Sequence, residues 1–62
     1  MENFTGKLAV ITGGASGVGF AIGEALAKEG ATVILTDIEA ESLETSAKVL
    51  TDQSLDVHFK VA

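Results

Sequence analysis

The sequence predicts an α/β fold built on a parallel sheet, and three observations carry that prediction. Three apolar, β-branched runs of six or seven residues are separated by two longer segments whose apolar residues recur at helical spacing. The first run ends in a glycine cluster, ITGGASGVGF, with four glycines in the ten residues Ile11 to Phe20. The second run ends on a carboxylate, Asp37. The order strand, helix, strand, helix, strand makes a βαβαβ unit, one half of a doubly wound parallel sheet, with each crossover expected to be right-handed. The pattern leaves the strand order open.

Each element has its own justification. KLAVIT, residues 7–12, is short and nearly continuously apolar, which predicts a strand buried on both faces. Along GVGFAIGEALAKE, Val18, Ala21, Ile22, Ala25 and Leu26 form an apolar stripe, predicting a helix that lays this stripe against the sheet. Gly30 stands as its C′ residue, with Lys28 near the negative end of the dipole. ATVILTD, residues 31–37, predicts the second strand. The second helix is expected from about Ala40 to Leu50 or slightly beyond, with Leu43, Ala47 and Leu50 on one face and Glu44 paired to Lys48 on the other. Residues 51–56, TDQSLD, supply a turn, and VHFKVA, residues 57–62, predicts a third strand.

Composition narrows the classes. The chain has 62 residues, a formal charge of −5, no cysteine, no proline, no tyrosine and no tryptophan. A core this small with neither disulfide nor metal is marginal alone, so the sequence is expected to be part of a larger domain. The absence of cysteine excludes zinc–thiolate clusters and thiol catalysis, and the negative charge argues against a nucleic-acid partner held through phosphates. No apolar run reaches the length of a membrane span, and MENFTGK has no apolar core of a signal peptide. A cytoplasmic location is the expectation.

The glycines need a reason, because glycine loses more backbone entropy on folding than any other residue. A glycine-rich turn from a buried strand into a helix is an anion site: first-turn N–H groups lack intrahelical partners and the dipole adds positive charge. Gly13, Gly17 and Gly19 are expected to give, in turn, a tight turn, a close approach and close helix–strand packing. A P-loop is excluded because Phe20, not Lys, follows Gly19, and G-x-G-x-x-G fails because residue 22 is Ile22. The pattern that fits is T-G-x-x-x-G-x-G, Thr12 to Gly19. In this setting, TGGASGVG behind a strand and ahead of AIGEALA resembles the short-chain dehydrogenase/reductase family across essentially the whole chain. The resemblance implies the N-terminal part of one Rossmann-like NAD(P)-binding domain, residues 1–62, in which the glycines make room for a dinucleotide pyrophosphate. It also implies phosphate contacts from the Val18 backbone and the Ser16 side chain, and an adenine lying against Ile38. Gly23, inside the helix, reads as close packing.

Asp37 stands eighteen residues beyond Gly19, where a carboxylate can accept hydrogen bonds from both adenosine ribose hydroxyls and repel a 2′-phosphate. Family members that prefer the phosphorylated cofactor commonly carry a basic residue at one of two positions, here Ser16 and Ile38, both uncharged. NAD is therefore expected over NADP. The plainer alternative is a solvated Asp that opens the loop before the second helix.

Family chemistry is hydride transfer between nicotinamide and an alcohol or carbonyl substrate, with a Tyr as general acid/base assisted by Lys, Ser and Asn. All of these lie C-terminal to the region represented here, as does the next acidic contact to the adenine, expected just past Ala62. No catalytic residue is assigned within the chain. His58, the sole histidine, reads as a strand residue, and Glu39, Glu41 and Glu44 as the solvated start of a helix. Two readings follow: the cofactor-binding segment of a short-chain oxidoreductase, homo-oligomeric as family members often are, or a free-standing non-catalytic nucleotide-binding or interaction module.

Overall fold

The computed structural model describes residues 3–62; Met1 and Glu2, which open the polar N-terminal stretch, lie outside the described residues. The elements are β1 (Leu8–Thr12), α1 (Gly17–Lys28), β2 (Thr32–Asp37), α2 (Ala40–Thr51) and β3 (Val57–Val61). The strands are parallel in the order β1-β2-β3. Among the described residues no helix is long and apolar enough to cross a membrane.

Register fixes the two faces of the sheet. Ile11 stands opposite Leu35 and Leu35 opposite Phe59, while Val10, Ile34 and His58 share the other side. Both helices cover the first side: α1 brings Gly23 and Ala27, and α2 brings Leu43, Ala47 and Leu50, into one core with Val33, Leu35 and Val57. Two crossovers of one hand, stepping the same way along a sheet, require this one-sided arrangement. Val33, Leu35, Leu43 and Leu50 are wholly removed from solvent, each stabilising the fold by about 1.5–3 kcal/mol.

The helix end is built as the sequence predicted. Gly30 takes φ +100°, and the Ala31 and Gly30 amides donate to the Leu26 and Ala27 carbonyls at 3.1 and 3.0 Å, a Schellman closure. At the opposite end of the sheet from the glycine cluster, Asp56 accepts from Thr32 Oγ1 at 2.6 Å and meets His58 Nε2 at 2.8 Å, tying the start of β3 to β2. His58 is exposed, as a solvent-facing strand residue.

Three expectations are corrected. β1 is not buried on both faces: Leu8 and Val10 are 64% and 59% exposed, because neither helix lies on their side. Most of the apolar stripe of α1 does not face the sheet either; of its five residues only Leu26 packs against the core. Val18 and Ile22 are 73% and 48% exposed, and the buried face is Gly19, Gly23 and Ala27. That small-residue face lets the helix axis come close enough for Leu35 to pack on helix backbone, a gain that counting apolar side chains cannot register. Lys48 pairs with Asp52 at 3.4 Å rather than with Glu44. Both candidates lie four residues away, and an exposed pair of this kind is worth only about 0.3–0.5 kcal/mol, too little for sequence to fix the choice.

The close approach of α1 is testable. A methyl at position 23 would lie 2.9 Å from Leu35 Cδ2. Gly23→Ala is expected to destabilise by overpacking, about 1–3 kcal/mol, against the roughly 1 kcal/mol that alanine gains over glycine in a helix. Leu35→Ala alone should cost about 2–5 kcal/mol. The double variant should cost less than the two singles together, since the shorter side chain makes room; strict additivity in urea denaturation would count against the contact.

Candidate functional site

The candidate site lies where the C-terminal ends of β1 and β2 meet the start of α1. After Thr12 the chain turns at Gly13, whose φ of +69° lies in the left-handed region that disfavours any side chain. The Ser16 amide closes the turn on the Gly13 carbonyl at 3.0 Å. Ser16 is the N-cap of α1: its Oγ donates to the Gly13 carbonyl at 2.7 Å and accepts from the Gly19 amide at 3.0 Å. The hydroxyl proton is thus committed within the protein.

Each remaining glycine has a distinct steric environment. A Cβ on Gly19 would collide with the Gly13 carbonyl oxygen and lie 2.9 Å from its carbon, so Gly19 packs on the turn itself rather than on a strand. The close contact with β2 falls to Gly23 and to Gly14, where a Cβ would meet Leu35 Cβ at 2.7 Å. Gly14 occupies one of the unspecified positions of the motif, and the doubled glycine in TGGA was the signal for it. Gly17 differs from all of these. Its φ is not left-handed, and nothing in the protein lies within 4 Å of where its Cβ would be.

Hydrogen bonds sort the amides of this turn into two groups. Gly14 N–H donates to the Thr36 carbonyl at 2.9 Å, Ala15 N–H to Asp37 Oδ2 at 3.0 Å, and Ser16 N–H to Gly13. The Gly17 and Val18 amides, at the first two positions of α1, have no acceptor among the described residues. Two free donors at the positive end of a twelve-residue helix, beside a glycine with open space in front of it, form a surface suited to an oxyanion.

Asp37 closes the other side. Its Oδ1 accepts from the Glu39 amide at 3.1 Å, so it opens the β2–α2 loop as well as reaching back to the turn. The Glu39 amide first, and the Ala15 amide after it, hold the carboxyl below its ordinary value of 3.8. The group therefore stays ionised through the whole neutral range, and its hold on these amides weakens only as acid takes the pH down through that lowered value. Each oxygen retains a lone pair for a further donor. The next residue, Ile38, is 76% exposed. The predicted residues Gly13, Ser16, Gly17, Val18, Gly19, Asp37 and Ile38 thus gather at one end of the sheet, although Ser16 is spent on capping.

A family model described as short chain dehydrogenase matches residues 7–62. The chain belongs to the short-chain dehydrogenase/reductase family. An uncharacterized oxidoreductase of Mycobacterium bovis is 52% identical over 44 residues, covering 71% of this chain and 18% of the relative. A short chain dehydrogenase/reductase from Burkholderia phymatum, solved in complex with NAD, superposes with a TM-score of 0.91 at 34% identity, over 100% of this chain and 22% of that one. The Pseudomonas aeruginosa RhlG/NADP complex gives 0.89 at 30%, over 97% and 24%. The chain therefore spans about a fifth of the length of the relatives it matches, and over that part it shares their Rossmann-type βαβαβ architecture.

The cap can be tested without any ligand. Ser16→Ala removes both hydroxyl bonds and should destabilise the protein by about 0.5–2 kcal/mol, read as a lower urea midpoint with an unchanged slope.

Proposed function

We propose that this chain is the NAD-binding segment, the N-terminal part of a single cofactor-binding domain, of an oxidoreductase that transfers hydride between nicotinamide and an alcohol or carbonyl substrate. The observation that carries the proposal is Gly17. Neither backbone conformation nor packing within the protein demands a glycine there, so what a side chain would obstruct is something that approaches from outside. The pyrophosphate of a dinucleotide meets the requirement: it is anionic, and the free amides are those of Gly17 itself and its neighbour Val18. Gly13 and Gly19 shape the turn, Ser16 fixes the first turn of α1, and exposed Ile38 offers an apolar surface to the adenine.

Asp37 supports NAD over NADP. Its carboxylate can accept from the two ribose hydroxyls and repels the 2′-phosphate of NADP, and neither Ser16 nor Ile38 supplies a compensating cation. The nicotinamide, when bound, supplies the hydride chemistry. This chain's own residues bind and orient; with no tyrosine among them, the proton transfer that family chemistry requires is assigned to residues outside these 62.

Two variants test the proposal through the cofactor's own fluorescence, since the chain contains no tryptophan or tyrosine. Gly17→Ala should leave the urea midpoint within about 0.5 kcal/mol of wild type and weaken NADH binding at least about tenfold, or 1.4 kcal/mol. Unchanged affinity would remove Gly17 from the site. Asp37→Ala should weaken NADH binding and narrow the NADH/NADPH affinity ratio by about tenfold or more; an unaltered ratio would end the specificity assignment.

A further inference from the structure

We infer that Asp37 is also a positioning residue for the phosphate-binding turn, acting through the Ala15 amide to set which backbone donors the cofactor meets. This deepens the proposed cofactor site and rests on that assignment. The carboxylate spans 22 residues of sequence to reach Ala15 N at 3.0 Å. Beside it, the Gly14 amide is held by the Thr36 carbonyl at 2.9 Å. Two consecutive amides of the turn are therefore tied to two consecutive residues at the end of β2.

The consequence is a sharp boundary. The amides of Gly14, Ala15 and Ser16 are occupied, and those of Gly17 and Val18 are free. Remove the Asp37 carboxylate and Ala15 N–H becomes a third free donor, one that an incoming phosphate could engage in a shifted register. The turn would also keep only the Gly14 tie to β2, since the closures from Ser16 to Gly13 are internal to it.

Strand alternation explains why Asp37 can do this. It follows Val33 and Leu35 on the helix-covered side of the sheet, so its side chain points toward the start of α1, just beyond the Leu35 contact with Gly14. A carboxylate is electrostatically an unfavourable neighbour for a phosphate. Its use here is understandable when it holds protein donors by charge-assisted bonds, roughly twice as strong as neutral ones.

The test separates this role from ribose recognition. NADH and its analogue lacking both adenine-ribose hydroxyls are titrated against wild type, Asp37→Asn and Asp37→Ala, each in the protein's full chain. Were Asp37 only a ribose ligand, its removal would leave the analogue's affinity unchanged, and that result overturns the inference. The expected result is about tenfold weaker analogue binding by Asp37→Ala, with a smaller loss in Asp37→Asn, which keeps one acceptor oxygen for Ala15. Amide hydrogen exchange is measured alongside, without cofactor. Protection should fall at Ala15 and Ser16 while the Val33 and Leu35 amides stay as slow as in wild type. Loss of protection throughout the sheet would mean general damage and would overturn the positioning role, as would unchanged protection at Ala15. Wild-type protein that binds neither dinucleotide would refute the cofactor assignment instead, and the exchange result would still decide whether Asp37 holds the turn.

Discussion

The α1 helix lies close over β1 and β2 because the positions that meet the turn and the strands most closely are small: Gly19 against the Gly13 carbonyl, Gly23 against Leu35, and buried Ala27, spaced four residues apart. That close approach places the Leu35 side chain against helix backbone at Gly23 and against the turn at Gly14. The helix start is consequently pressed onto the C-terminal ends of the strands. From that single constraint come the short turn, the left-handed Gly13 and the packing of Gly19 on the Gly13 carbonyl. A bulkier face would lift the helix, and the free amides at its N-terminus would no longer stand beside the end of β2.

Much of this was legible in the sequence. Three β-branched runs gave the strands, and the elements end within a residue or two of where the glycines, Asp37 and the TDQSLD turn suggested. Gly30 and the Leu43, Ala47, Leu50 face of α2 read correctly because a chain reversal and an apolar stripe are local signals. The facing of α1 did not read correctly, for a physical reason. Periodicity methods weigh side chains, so the small face registered only through Gly23, read as close packing, while Val18, Ala21, Ile22 and Ala25 drew the stripe to the wrong side. Gly14 left only the doubled glycine of TGGA as a trace, and the Ala15–Asp37 bond left none, for a different reason. They depend on contacts across more than twenty residues, and no spacing rule connects a backbone amide in a turn to a particular carboxylate oxygen.

The sheet itself is asymmetric. One side is filled by both helices, and the other presents Leu8, Val10 and Ile34 on β1 and β2 beside His58 and Lys60 on β3. Parallel sheets bury both faces, and a doubly wound sheet does so by reversing its winding after the first three strands, which puts later helices on the opposite side. The near-continuous apolar character of KLAVIT fits that architecture, since Leu8 and Val10 stand on the face these two helices leave open. In such a sheet the reversal creates a crevice at the C-terminal ends of the strands, the end at which the glycine turn and Asp37 meet here.

The electrostatics of that crevice are a balance rather than a simple attraction. The chain carries a net charge of −5, and the candidate site contains no cationic side chain among the described residues, so affinity for an anion has to come from oriented backbone. Such donors are effective only when fixed, because a mobile turn spends the gain on ordering itself. Asp37 supplies part of that fixation by tying down Ala15 and Glu39, at the cost, in the proposed cofactor complex, of placing a negative charge near the phosphates. The cost is limited by geometry, since the carboxylate faces amides that are not the free donors of Gly17 and Val18. On the proposed assignment one carboxylate holds the turn, favours ribose hydroxyls and disfavours a third phosphate together, because all three follow from a negative charge fixed at the end of β2.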